Sequence, residues 1–84
     1  MKYFVYLIVS ETHVRKLSYV GYTNNLTNRI KLHNSSKGAK FTKGNNWKLI
    51  NYRTYNSKIK AMKEEYKLKK NYKLRKQIKN ENGF

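Results

Sequence analysis

Seven consecutive residues, Tyr3-Phe-Val-Tyr-Leu-Ile-Val9, carry no charge and little polarity. A continuous β-branched and aromatic run of this length reads as a strand covered on both faces. The rest of the chain must therefore supply a layer on each side of it. The run is too short to span a bilayer. No small-residue cleavage site follows it, so it does not read as the core of a signal peptide.

The segments that follow supply those layers. Leu17 to Tyr22 is a second short strand, joined to the first across a polar loop, Ser10 to Lys16, as an antiparallel hairpin. Gly21 inside it marks a bulge or a close approach of another group. Thr23-Asn-Asn25 offers helix N-cap residues. In the helix that follows, Leu26 and Ile30 can face the core, and Arg29 shares a face with His33 at i, i+4. Asn34 to Asn46, rich in Ser, Gly, Asn and Lys, reads as a basic surface loop. Trp47 to Tyr55 returns to strand character, with Leu49, Ile50 and Tyr52 available for burial. Ser57 can cap a helix running to about Lys70. After an interruption at Asn71, a basic helix over about residues 72–79 turns Leu74 and Ile78 inward. The expected fold is α+β, in the order β-β-α-β-α-α, and residues 1–84 are expected to form one domain.

Twenty Lys+Arg stand against four Asp+Glu, a formal net charge of +16. Such a density concentrates polyanions around the chain and favours phosphate contacts through counterion release. On charge alone, a non-catalytic nucleic-acid binder is a commoner outcome than an enzyme. The carboxylates are Glu11, Glu64, Glu65 and Glu81, and Asp is absent. A site in which several carboxylates hold two metals is thereby disfavoured. Cys is absent too, which excludes thiolate metal sites and Cys nucleophiles. It also fits a reducing compartment: the cytoplasm, at the nucleoid or in a nucleus. The two histidines, His13 and His33, are too far apart for a recognisable metal motif.

Read singly, the candidate site residues have ordinary explanations. Tyr6 and Tyr19 are normal strand residues, although a hairpin could bring their hydroxyls together. Arg29 could be a solvated cation, yet a planar guanidinium suits a phosphate as a point charge does not. Glu65 has Ala61, Met62, Leu68 and Lys69 as helical neighbours, so it lies on the apolar stripe, faces inward and needs a partner. A divalent metal or a basic side chain would serve. Glu64 sits among Lys60, Ala61, Lys67 and Leu68, a more charged setting.

Together these segments resemble the GIY-YIG nuclease domain. Phe4-Val5-Tyr6 stands where the family often shows Gly-Ile-Tyr, and Tyr19-Val20-Gly21 is close to Tyr-Ile-Gly. Thr23 to Ile30, with Arg29, and His33-Asn34 follow in order. Lys37-Gly-Ala-Lys-Phe-Thr42 and Ala61-Met-Lys-Glu-Glu65 through Lys70 are similar to short stand-alone members related to structure-specific endonucleases of branched DNA. The resemblance covers about residues 3–72. Departures are Phe4 in place of Gly, and Tyr22, where smaller residues are frequent.

The resemblance implies a three-stranded antiparallel sheet flanked by helices and a metal-dependent DNA endonuclease of low sequence specificity. Its implied site is Tyr6, Tyr19, Arg29, His33 and Glu65. Glu65 would hold one Mg²⁺ or Mn²⁺ ion. Tyr19 would activate water, with Tyr6 assisting and His33 a further candidate. Lys37, Lys40, Lys43, Lys69 and Lys70 would contact the DNA backbone, and a late Asn, Asn71 or Asn80, would support the site. No small-molecule cofactor or membrane is implied. The alternative is a weakly active or inactive nucleic-acid-binding module on the same fold.

Overall fold

The computed structural model describes residues 1–12 and 14–84; His13 lies outside the described residues. Three strands, β1 (Tyr3–Glu11), β2 (Lys16–Thr23) and β3 (Lys48–Tyr55), form one antiparallel sheet in the order β2-β1-β3. Helix α1 (Leu26–Asn34) follows β2. Helices α2 (Lys58–Lys70) and α3 (Tyr72–Glu81) follow β3. The α+β architecture and its element order are those expected. The hairpin strands run further than expected, to Glu11 and from Lys16, and α3 continues to Glu81.

The apolar run is the central strand, and its two faces serve two layers. Val5 and Leu7 pack with Val20, Ala61 and Ile78 under α2 and α3. Tyr6 and Ile8 pack with Trp47, Leu26 and Ile30 on the α1 side. Alternation along a strand sends neighbours to opposite faces, so a buried sheet with helices on both sides needs an unbroken apolar strand. The register shifts between Leu7 and Ile8, where β3 carries the extra residue Ile50. This bulge lets Leu49 and Ile50 serve opposite cores. Tyr52, expected to be buried, is 52% exposed and meets Phe4 edge-on.

Short polar side chains start all three helices. Asn25 Oδ1 accepts from Asn28 N at 3.1 Å, Ser57 Oγ from Lys60 N at 3.3 Å, and Asn71 Oδ1 from Leu74 N at 3.0 Å. Asn71 also ends α2, so the break between the last two helices is this one capping residue.

The expected surface loop after α1 is not wholly a surface. It contains a 3₁₀ turn, Lys40–Thr42. Thr42 is fully buried, and Trp47 just beyond is 5% exposed. The Trp47 indole N–H donates to Thr42 O at 2.9 Å, and Asn34 brackets the Trp47 backbone from α1. A buried indole needs such an acceptor. Here it ties the loop down over α1.

Candidate active site

The expected site residues meet at edge strand β2. Tyr6, Tyr19, Arg29 and Glu65 line one open cleft of about 440 Å³, together with Tyr3, Gly21, Tyr22, Thr23, Asn24 and Lys58. The lining comes from β1, β2, the start of α1 and one face of α2. Sequence distance is large, but sheet register supplies the juxtaposition: Tyr6 pairs with Gly21, and Ile8 with Tyr19.

Gly21 has a steric role here. A Cβ at this position would lie 2.4 Å from Tyr6 Oη and 2.6 Å from its Cζ. The Tyr6 ring crosses the strand where its partner has no side chain. Gly21 is therefore required by a close approach, one of the two readings its place in a strand allowed.

His33 lies beneath the cleft, fully buried. Its Nε2 is 2.7 Å from Tyr6 Oη, and its Nδ1 is 2.8 Å from Thr42 Oγ1. The Thr42 hydroxyl donates to Ala39 O at 2.8 Å. The only proton Thr42 owns is thus committed, and its oxygen must accept from His33 Nδ1–H. That leaves Nε2 as an acceptor, to which Tyr6 donates. The chain of donors runs from Tyr6 through His33 and Thr42 to a backbone carbonyl. Burial, then the nearby Arg29 charge, lowers the His33 pKa, so the imidazole is neutral at neutral pH. Burial, reinforced by the Tyr19 charge, raises the Tyr6 pKa far above its ordinary value. Tyr6 therefore keeps its proton in the resting protein. Gly38 closes the loop on this pair: a Cβ there would stand 2.4 Å from His33 Nδ1.

Tyr19 is placed differently. Its ring is 5.2 Å from the His33 ring and nearly parallel to Phe41, at 21°. Arg29 is half-buried and, among the described residues, in no ion pair or side-chain hydrogen bond. Its guanidinium donors remain available to a ligand.

Helix α2 turns Ala61, Glu64, Glu65 and Leu68 inward. Met62, expected on this stripe, is 45% exposed. The true stripe follows i, i+3, i+4, i+7 from Ala61, which moves Met62 to its flank and brings both glutamates onto it. They diverge to opposite sides. Glu64 lines a separate depression with Arg53, Lys67 and Asn71, and bonds Lys67 at 3.1 Å. That hydrogen bond holds its carboxyl below the usual range. Glu65 lines the cleft and meets Lys69 at 3.5 Å.

Among the described residues no three His, Cys, Asp or Glu side chains cluster. A cage of protein ligands is therefore not what this cleft offers. It offers one carboxylate among hydroxyl and amide oxygens from Tyr6, Tyr19, Thr23 and Asn24. This suits a hard cation that keeps several waters and shares itself with a phosphate, as Mg²⁺ does.

Neither late Asn is in the cleft. Asn71 is occupied in capping α3, and Asn80 is exposed on that helix. Asn24, just after β2, lines it instead. Lys58 was also missed. It lies seven residues before Glu65 on the same helical face, a spacing that could have signalled it. Lys37, Lys40, Lys43, Lys69 and Lys70 are all exposed. No helix among the described residues is long and apolar enough to cross a membrane.

The GIY-YIG catalytic domain model matches residues 2–80. A UPF0213 protein of Clostridium perfringens is 44% identical over 72 residues, covering 76% of this chain and 77% of that protein. A UPF0213 protein of Staphylococcus haemolyticus is 38% identical over 69 residues, 81% and 80% of the two chains. One from Oceanobacillus iheyensis is 42% identical over 52 residues, 61% of this chain and 60% of its own length. The solution structure of a UPF0213 protein from Bacillus halodurans is 36% identical, with a TM-score of 0.49, covering 92% of this chain and 80% of that one. The chain belongs to the GIY-YIG catalytic domain family.

Proposed function

We propose that this protein is a metal-dependent DNA endonuclease that hydrolyses phosphodiester bonds with little sequence preference. The observation that carries this reading is the convergence on one open cleft of Arg29, the carboxylate of Glu65, and Tyr6 hydrogen-bonded to a buried neutral His33.

A phosphodiester gains negative charge as water attacks it, and fixed positive charge there lowers the barrier. Arg29, half-buried and in no ion pair among the described residues, grips two phosphate oxygens with its planar donors. Glu65 would hold one Mg²⁺ or Mn²⁺ ion, which when bound supplies charge stabilisation and lowers the pKa of coordinated water. The attacking water loses its proton to Tyr6 Oη as Tyr6 passes its own to His33 Nε2. Burial raises the Tyr6 pKa, so Tyr6 holds a proton at rest and gives it to His33 Nε2 as it takes one from water. Tyr19, expected as the water-activating residue, lines the same cleft, and its hydroxyl would orient the water whose proton passes through Tyr6. Lys37, Lys40, Lys43, Lys70 and, once metal displaces it from Glu65, Lys69 contact the backbone, which positions DNA without reading it.

One observation favours the alternative of a binding module. Lys69 already neutralises Glu65, so metal must displace that ammonium. The pair is exposed on the Lys69 side, and such pairs are worth under about 1 kcal/mol. A bound dication exceeds that.

The test is incubation with labelled flap, nicked, linear and supercoiled DNA, with Mg²⁺ or with excess EDTA. Cleavage with Mg²⁺ only is expected. Arg29→Ala should lower single-turnover cleavage by about 10²–10³-fold, as for loss of one transition-state donor. Its DNA affinity should stay within a few-fold. Undiminished cleavage in EDTA refutes the metal-dependent reading, and binding without any cleavage establishes the binding module.

A further inference from the structure

Phe41 is 55% exposed, although it is a large apolar side chain beside a polar cleft. Lone exposed aromatics are ordinary on protein surfaces. This one is built in. It sits on the 3₁₀ turn whose next residue, Thr42, is fully buried and held by His33 Nδ1 and Ala39 O. The Trp47 indole N–H fastens the same turn through Thr42 O. The Phe41 ring lies nearly parallel to Tyr19, with centroids 6.1 Å apart, and tilts against Trp47 at 6.2 Å. The result is an aromatic ledge on a fixed backbone, continuous with the cleft through Tyr19.

The surroundings are cationic. Lys40 opens the turn, Lys43 follows it, and both are exposed. Lys69 Nζ stands 5.9 Å from the centre of the Tyr19 ring. Between them is an open depression of about 350 Å³, lined by Ser18, Tyr19, Val20, Phe41, Lys69 and Arg75. Aromatic faces interleaved with cations are the means by which proteins hold single strands, one ring per base and cations along the phosphates. A paired base inside a duplex is covered by its neighbours and has no free face to offer.

We propose that Phe41 is a stacking platform for one unpaired nucleobase of the DNA strand held in the cleft. Binding then favours DNA in which the nucleotide beside the gripped phosphate is unpaired. This deepens the endonuclease reading and rests on DNA occupying that cleft, but it does not rest on cleavage. The stack supplies selectivity for unpaired over continuous duplex DNA, which surface lysines cannot supply.

The experiment is equilibrium binding in EDTA, so that no cutting intervenes. The probes are a labelled single strand carrying the fluorescent base 2-aminopurine and a blunt duplex of the same length. Wild type, Phe41→Ala and Phe41→Trp are compared, with circular dichroism melts as a folding control. Phe41→Ala should weaken single-strand binding by about tenfold, the loss of one base–aromatic stack. It should change duplex binding by less than about twofold, because backbone contacts remain. Phe41→Trp should restore the affinity and quench the probe base as wild type does. Equal losses on both probes, or no loss on either, overturn the proposal. Selective loss in a protein that never cuts DNA leaves the platform standing and removes the nuclease. Cleavage with no single-strand effect does the reverse.

Discussion

Glu64 and Glu65 occupy adjacent positions on α2 and point about 100° apart, the angle between successive residues at 3.6 per turn. That angle decides their chemistry. Glu65 lines the cleft with Arg29 and both tyrosines, and Glu64 lines the depression behind it. Glu65→Gln keeps shape and one oxygen but removes the charge a cation needs. It should fold, bind DNA and show no detectable cleavage, while its melting point changes by the equivalent of less than about 1 kcal/mol, the worth of an exposed pair. Glu64→Gln should keep nearly full activity. Single-turnover cleavage across a Mg²⁺ titration checks both, and an active Glu65→Gln beside a dead Glu64→Gln would sink the assignment. His33 gives a pH signature. Its folded pKa lies below the usual 6.5, so protonation favours the unfolded chain. The stability that follows is fully present above about pH 6.5, the unfolded value, and is lost as pH falls from there through the lowered folded pKa. Wild type should therefore melt lower at pH 5 than at pH 7.5, and His33→Gln should lack most of that drop. The Glu64 pair does not confuse the comparison, because its carboxyl titrates below the usual 4.5. An unchanged pH dependence in His33→Gln would show that the imidazole titrates as in the unfolded chain.

At the scale of elements, β1 and β2 act as one unit through the Tyr6–Gly21 pairing. Adding a methyl at Gly21 puts a carbon 2.4 Å from Tyr6 Oη. The atom is the tip of a side chain, but the ring behind it is 2% exposed and has little room to swing. Gly21→Ala should cost about 1–3 kcal/mol in urea unfolding, the range for overpacking a core. It should also lower cleavage, because displacing Tyr6 breaks the bond to His33. A stable, fully active Gly21→Ala would show that the ring can move without consequence. This close approach also marks how much could be read beforehand. The apolar period of β1 identified a doubly covered strand, and the Ser57 and Asn71 side chains identified the helix bounds, because these signals are local. The cleft residues Tyr6, Tyr19, Arg29 and Glu65 were legible because family likeness orders them along the chain. Thr42 and Gly38 were not. They sit in a stretch whose Lys, Ser and Gly content reads as solvent-exposed, and burial there comes from Trp47 and His33, partners up to nine residues away. Met62 was misplaced because a window of neighbours at i±3 and i±4 does not give the phase of the stripe. Asn24 was passed over as a capping residue next to Asn25, which holds the cap alone.

At the scale of the whole molecule, charge sets the energetics of binding, but geometry limits how much of it counts. The net charge is +16, spread over a body of 38 × 29 × 18 Å. A duplex touches one side of such a body, so most cations face away from it. The side that matters is identified by Tyr19, where Phe41 stacks from the loop and Lys69 reaches over from α2. Of the exposed cations on those two segments, Lys37, Lys40, Lys43, Lys69 and Lys70 are the ones expected to meet the DNA backbone. Five phosphate contacts, each contributing about −0.9, give a slope of about −4.5 for log K against log salt on duplex DNA. A fourfold rise in salt should then weaken binding by roughly 500-fold. Each Lys→Ala change among the five should flatten the slope by about 0.9, whereas Lys→Ala changes on β3, such as Lys48, should leave it unchanged. Unrelated duplex sequences should bind alike, since these contacts reach phosphates and not base edges. Anisotropy titrations of a labelled duplex at several salt concentrations measure all of this. A slope shallower than about −2 would mean that fewer than three of these lysines touch phosphate. The loop and the end of α2 would then not form one DNA-facing surface, and the cations would act only by long-range attraction.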